Sequence, residues 1–236
     1  RNSTRNLASL RSGIRFDISA PLSLKANIGR AHRAPSLFEL FGDRGGVIGN
    51  SDLLPEKGFT WDAGFRFDAD QTTLEGAYFN HSYMNLIQFV HPSQATSRPT
   101  NIGRARAWGV EVTAMHRLGE ILELSGSYTY QRTEDRSEIP HFQGNQLPNR
   151  APHVVFGSLN AGLGSVNIAY EYTFEDGSFL DQANRKSLDA RHIHNIRLSC
   201  KLAAGATVGL DARNIGNTQI ADVWGYPLPG RTLFIT

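Results

Sequence analysis

Hydrophobic and polar residues alternate with period two through most of the chain. From Ser165 to Glu175, Val166, Ile168, Tyr170, Tyr172 and Phe174 share one face, and Ser165, Asn167, Ala169, Glu171, Thr173 and Glu175 the other. Leu122, Leu124, Gly126, Tyr128 and Tyr130 oppose Glu123, Ser125, Ser127, Thr129 and Gln131 in the same way. The pattern returns in Ile196 to Leu202, Val208 to Arg213, Trp61 to Asp68 and Trp108 to Met115. Weaker versions run over Leu10 to Ile18, Leu22 to Ile28, Thr72 to Val90, Val155 to Leu163 and Gly230 to Ile235. Period two is the signature of strands with one polar face, and no such segment suits an amphipathic helix. About eleven strands are expected.

The connections fall into two alternating classes. Ala20-Pro21, Asp68 to Gln71, Leu118 to Glu120, Gly162 to Ser165 and Ala203 to Gly205 are tight turns. Ala34 to Pro55, His91 to Gly103, Glu134 to Asn149, Asp176 to Asp189 and Gly216 to Pro229 are long and rich in Gly, Pro, Asn and charge. Strict alternation of short and long links is what an up-and-down barrel in a membrane requires, with its turns on one side and its loops on the other. The predicted fold is all-β: an antiparallel up-and-down transmembrane β-barrel. Charge at the bilayer midplane costs roughly 2–4 kcal/mol per Arg or Lys, so the charged face is the lumen. Tyr128, Tyr130, Tyr170, Tyr172 and Phe174 then gather at the loop ends of their strands as an aromatic girdle.

Composition sharpens this picture. Mean hydropathy is −0.34, and no run approaches the roughly 18–20 apolar residues of a membrane helix. Barrel strands escape that criterion because only every second residue meets lipid. A net charge of +2 with scattered basic residues gives no reason to expect nucleic acid as a partner. The single Cys200 excludes an internal disulfide or a thiolate cluster. The sequence starts at Arg1-Asn2-Ser3-Thr4, without the succession of a signal peptide, so a mature piece of an exported protein is expected.

Five segments, in order, carry a resemblance to a known family. They are Gly29-Arg30-Ala31-His32-Arg33-Ala34-Pro35-Ser36-Leu37-Phe38-Glu39-Leu40-Phe41-Gly42, Gly49-Asn50-Ser51-Asp52-Leu53-Leu54-Pro55-Glu56-Lys57, and Asn101 through Gly109-Val110-Glu111. Pro148-Asn149-Arg150-Ala151-Pro152-His153 follows, and the last is Asn214-Ile215-Gly216-Asn217 with Tyr226-Pro227-Leu228-Pro229-Gly230-Arg231-Thr232. Together they resemble the C-terminal half of the barrel of TonB-dependent outer-membrane receptors. The resemblance implies that residues 1–236 are the second half of a 22-stranded wall in the outer membrane of a Gram-negative bacterium, in contact with outer-membrane lipid. It also implies a plug domain and signal peptide that this sequence does not contain, and energy delivered by a TonB-ExbB-ExbD complex through that absent N-terminal region. Arg33, Ala34, Pro35, Pro55, Glu56, Gly109, Glu111, Pro229, Gly230 and Arg231 are expected to be structural members of its motifs.

Receptors of this kind bind scarce nutrients, and a ferric siderophore or cobalamin is expected here, with no resident cofactor. Haem is disfavoured because His32 stands where the motif has Phe and no His lies between the first two segments. An anionic complex would need cations and flat rings near the loops, for which Arg33, Arg44, Arg98, Arg104, Tyr83, Phe142, Trp224 and Tyr226 are the candidates. His192 and His194 have chelating spacing but no third ligand in sequence, so they read as interfacial residues of the girdle and no metal site is expected. Enzyme activity is not expected. The carboxylates Asp43, Asp52 and Asp135 fall in separate loops, no Gly-X-Ser-X-Gly elbow occurs, and Gly42-Asp43-Arg44-Gly45-Gly46 lacks the ending of a phosphate loop. The competing expectation is a passive structural or channel barrel.

Overall fold

The computed structural model describes residues 8–90, 96–223 and 226–236. They form one eleven-stranded antiparallel sheet in which each strand is hydrogen-bonded to its neighbour in the chain. Its strands are β1 (Leu10–Ser19), β2 (Leu22–Arg33), β3 (Glu56–Ala69), β4 (Thr72–Met84), β5 (Arg104–Leu118), β6 (Leu122–Asp135), β7 (His153–Leu163), β8 (Val166–Glu175), β9 (Arg191–Lys201), β10 (Thr207–Arg213) and β11 (Thr232–Ile235). The first nine run from 10 to 15 residues. Roughly 9–11 residues suffice for a tilted strand to cross a bilayer. No helix among the described residues is long and apolar enough to do so. β1 and β11 are each paired on one side only.

The short links hold backbone in the left-handed region: Asp70 (φ 34°), Gly119 (φ 63°), Gly164 (φ 63°) and Gly205 (φ 79°). An added Cβ at Gly119 or Gly164 would have nothing within 4 Å, so torsion rather than crowding selects glycine there. At the opposite end the long links carry structure of their own. A short helix, α1 (Leu37–Phe41), sits in the 34–55 loop. Small hairpins pair Ile87–Val90 with Arg98–Asn101, Ser178–Phe179 with Ser187–Leu188, and Ala221–Val223 with Tyr226–Pro227.

Two predicted boundaries move. Thr72 to Val90 is not one strand: Asn85, at φ 56°, ends β4 at Met84 and turns the chain into the first loop hairpin. β6 continues to Asp135, whose buried side chain caps the following turn by accepting from the Ser137 amide at 2.7 Å.

Register carries each face across the sheet. Ala26, Ala63, Tyr78, Val110 and Tyr130 lie in one row on the outer face, as do Leu159, Tyr170, Ile196 and Ala212. The inner face is a ladder of charge. Lys25 and Arg66 both hold Glu75, Asn27 donates to Asp62, and Arg197 and Arg213 share Asp211. Near the loops the outer face carries the expected girdle, with Trp61 against Tyr78 at 5.4 Å between centroids. His192 and His194 belong to it: their Nδ1 atoms meet the hydroxyls of Tyr172 and Tyr170 at 2.8 Å, and Tyr128 meets His153 at 2.9 Å.

Candidate functional site

The loop end of the inner wall is organised from its base by Arg33. As the last residue of β2, it lies in register with Glu56, the first of β3, and donates to it from Nε (2.6 Å) and Nη2 (2.8 Å). Its Nη1 and Nη2 also donate to Glu39, at 3.0 and 3.1 Å. Glu39 in turn closes the capping box of α1: its carboxylate accepts from the Ser36 amide at 2.7 Å, while its own amide donates to the Ser36 hydroxyl. Glu56 further accepts from the Ile87 amide at 2.8 Å, fastening the next loop hairpin. One guanidinium thus joins β2, β3, α1 and the 85–103 loop. The two carboxylates are only 10% and 13% exposed, against 47% for Arg33.

Burial pushes the Glu39 carboxyl up, but hydrogen bonds from Arg33 and Ser36 outweigh it and hold it below the usual carboxylate range. A depressed folded pKa adds stability that is complete above the unfolded value, about 4.3, and is lost as pH falls through the lower folded value. The amide of Asn50, bonded to the Glu39 carbonyl at 2.8 Å, reports on this turn. Its protection from hydrogen exchange, relative to E39Q at the same pH, is expected to be constant down to about pH 4.5 and to shrink below it. A ratio that does not change with pH would contradict this.

Asn101 and Asn217, from two further motif segments, also sit at loop bases, whereas Gly109 and Glu111 lie inside β5. Asn101 accepts from the Leu54 amide and donates to the Leu54 and Asn85 carbonyls. Asn217 accepts from the Arg231 amide at 3.0 Å, and a Cβ on Gly230 would lie 2.6 Å from that same side-chain oxygen. The loops are then sewn to one another. The 34–55 and 85–103 loops share backbone bonds between Ile48 and Ser97 and between Ser97 and Gly46, and Asn50 donates to Pro99. Gln182 donates to Gln88, and Asn145 to Gln182, while Gln146 and Asn184 exchange two bonds.

Beneath this lid of loops lies a cavity of about 480 Å³ on the inner wall. Phe79, His81 and Tyr83 of β4 form one side of it, with centroids 5.1 Å apart for the first pair and 6.3 Å for the second. Gln88, Glu111, Gln131, Thr133 and Arg150 supply polar groups around them. A wider cleft of about 1090 Å³ lies over β8 and β9, where Glu175, Asp176, Asp189 and Arg191 are among the lining residues. It is the more acidic of the two, so the smaller cavity better suits an anionic aromatic ligand.

Of the candidates from sequence, Tyr83 lines the 480 Å³ cavity. Arg33 is engaged by its two carboxylates, and Arg44 and Arg98 are exposed in loops. Phe142 stacks edgewise on His141 outside both cavities. Arg104 requires correction: it pairs with Met84 in register with Lys57, which places it on the outer face, away from the lumen. Trp224 lies outside the described residues, and of Tyr226 only the backbone is described. Phe79, His81, Gln131 and Arg150, which are not among the candidates from sequence, line the same cavity. The available signal was aromatic side chains on the polar parity of β4.

A wall of membrane-length antiparallel strands, with a charged inner face, an aromatic outer girdle and linked loops, defines an outer-membrane barrel of the receptor type. The chain belongs to the TonB-dependent receptor-like β-barrel family, whose model matches residues 1–215. Transferrin-binding protein A of Neisseria meningitidis serogroup B is 34% identical over 105 residues, covering 42% of this chain and 11% of that protein. The iron-regulated outer membrane virulence protein of Vibrio cholerae serotype O1 is 27% identical over 157 residues, 58% of this chain and 24% of that protein. Among solved structures, copper transporter OprC has a TM-score of 0.76 at 17% identity, over 95% of this chain and 38% of that one. The ferric enterobactin receptor PfeA of Pseudomonas aeruginosa, as its G324V mutant, has a TM-score of 0.75 at 19% identity, over 96% and 39%. The chain therefore spans a quarter or less of these curated relatives and about two fifths of these solved structures. These relatives are receptors and transporters, in keeping with the expectation of no enzyme activity.

Proposed function

We propose that this chain forms the ligand-facing wall of a receptor that imports a scarce iron complex across the outer membrane, a ferric siderophore in preference to cobalamin. Import would be driven by a TonB-ExbB-ExbD complex acting through a plug region N-terminal to the wall. The observation that carries this reading is the cavity beneath the linked loops, where Phe79, His81 and Tyr83 stand beside Arg150, Gln88 and Gln131. Flat rings offer contact area at small entropic cost, and a guanidinium suits the carboxylates or catecholates of an anionic chelate. The iron-regulated relative in Vibrio cholerae adds support.

The test uses the full-length receptor. Y83A/R150Q is expected to weaken binding of a ferric siderophore at least tenfold in a fluorescence-quenching titration, while the barrel still resists SDS until heated. Deleting the gene is expected to abolish growth on that siderophore as sole iron source and to leave cobalamin uptake intact. Loss of cobalamin uptake alone would reverse the order of ligands, and unchanged, non-saturable uptake of both would favour a passive barrel.

A further inference from the structure

Among the described residues a tyrosine hydroxyl meets a histidine nitrogen on both faces of the wall. On the outer face the pairs close to ordinary hydrogen bonds, Tyr170 with His194 and Tyr172 with His192 at 2.8 Å and Tyr128 with His153 at 2.9 Å. The pair on the inner face stays open. His81 and Tyr83, two residues apart on one side of β4, hold Nδ1 and the hydroxyl oxygen 3.4 Å apart. A well-made bond between such groups spans roughly 2.7–3.2 Å.

The surroundings differ as well. Both inner side chains are half-buried and line the 480 Å³ cavity, together with Phe79, Gln88, Gln131 and Arg150. The Phe79 ring lies 5.1 Å from the His81 ring on one side, and the Tyr83 ring stands edge-on to it at 80° on the other. Tyr83 itself lies over Gly58 of β3, where an added Cβ would be 3.8 Å from its ring. Glu111 lines the cavity too, but it is in register with Ala77, four residues or roughly 13 Å down the strand from His81. Two protein donors therefore converge here, and not three.

A phenolate oxygen is a hard donor suited to ferric iron, and imidazole is a donor that iron also accepts. Two donors each about 2 Å from one metal and at right angles are about 2.9 Å apart, so a closing of about 0.5 Å by side-chain rotation would let both bind one ion. They would fill two of six octahedral positions.

We infer that His81 and Tyr83 complete the coordination of a ferric chelate that brings only four donor atoms of its own; this deepens the proposed function and rests on it. On entry the iron exchanges two bound waters for the Tyr83 oxygen and a His81 nitrogen. The phenol proton leaves to solvent, and the iron stays ferric. Arg150 then faces the anionic oxygens of the chelate. A chelate with six donors has no position to offer, so it gains nothing from either residue beyond ring contact. The wall would thus distinguish an incompletely wrapped iron from a fully wrapped one.

The experiment titrates the full-length receptor, by fluorescence quenching, with the ferric complexes of a linear bis-catecholamide and of the corresponding tris-catecholamide. Y83F, which keeps the ring and removes only the oxygen, is expected to weaken the four-donor complex at least tenfold and to change the six-donor complex less than twofold. H81Q should behave likewise, and Y83F alone decides if H81Q does not resist SDS. Resonance Raman of the four-donor complex should show tyrosinate modes that shift with ring-deuterated tyrosine and vanish in Y83F. Equal losses for both chelates, unchanged binding by Y83F, or absent tyrosinate modes would each overturn the inference while leaving the proposed function standing. Binding of neither chelate would overturn the inference, and joined with unchanged growth on siderophore iron it would remove the proposed function as well.

Discussion

Replacing Gly109 by valine is expected to prevent the full-length receptor from reaching its SDS-resistant, heat-modifiable form. Gly109 lies in β5, on the inner face opposite Gln131 of β6. A Cβ there would overlap the Tyr130 carbonyl oxygen and come within 2.9 Å of the Gln131 Cα. Both are backbone atoms of the adjacent strand, so no rotamer change can clear them. Parting β5 from β6 would expose ladder groups in hydrocarbon, where each unsatisfied group costs several kcal/mol. The penalty exceeds the roughly 1–3 kcal/mol of ordinary overpacking. Gly157 is the matched control, because an added Cβ there meets nothing within 4 Å. G157V should assemble normally, and equal assembly of G109V would show that the sheet yields where its geometry says it cannot.

Arg33→Ala is expected to leave the barrel standing and to release its lid. The substitution strands the Glu39 and Glu56 carboxylates, which are 10% and 13% exposed. Breaking a buried pair costs about 3–5 kcal/mol, and the half-exposed guanidinium reduces this to about 2 kcal/mol. That corresponds to roughly thirtyfold faster local opening. Hydrogen exchange should quicken in peptides containing Leu40, Asn50 and Ile87 and stay unchanged in β7 to β9. Arg33→Lys should fall between, since an ammonium cannot span both carboxylates with a planar fork. Uniform loss of protection across the sheet would mean that Arg33 supports the wall itself.

The wall was legible because it depends on a local, repeating signal. Parity along Ser165 to Glu175 assigns each residue to lipid or lumen without reference to the rest of the chain. The break at Asn85 was not, because a single left-handed Asn leaves no mark on hydropathy while Ile87 and Phe89 prolong the apolar run. Arg104 shows the opposite lesson. It shares parity with Trp108 and Val110, so alternation already put it on the outer face, and proximity to a loop misled. The cavity was hardest to read, since Tyr83 and Arg150 lie in separate segments and line one space only once the sheet and its loops are assembled. The Arg33 clamp was half legible: the motif residues Arg33 and Glu56 were marked, but the partnership with Glu39 depends on α1 folding back.

The bonds that sew the long loops together also constrain how this protein can diversify. A loop free of its neighbours can be exchanged as a cassette, and its ligand preference with it. Here, replacing the 176–190 loop would strand the partners of Gln182 and Asn184 in two other loops, and replacing the 85–103 loop would unfasten the 34–55 loop through Ser97. Single-loop grafts from a relative should therefore cost binding even when the graft carries the right contacts. On the proposed function, specificity would be inherited by the whole lid, and a lineage acquiring a new nutrient would have to change several loops in concert.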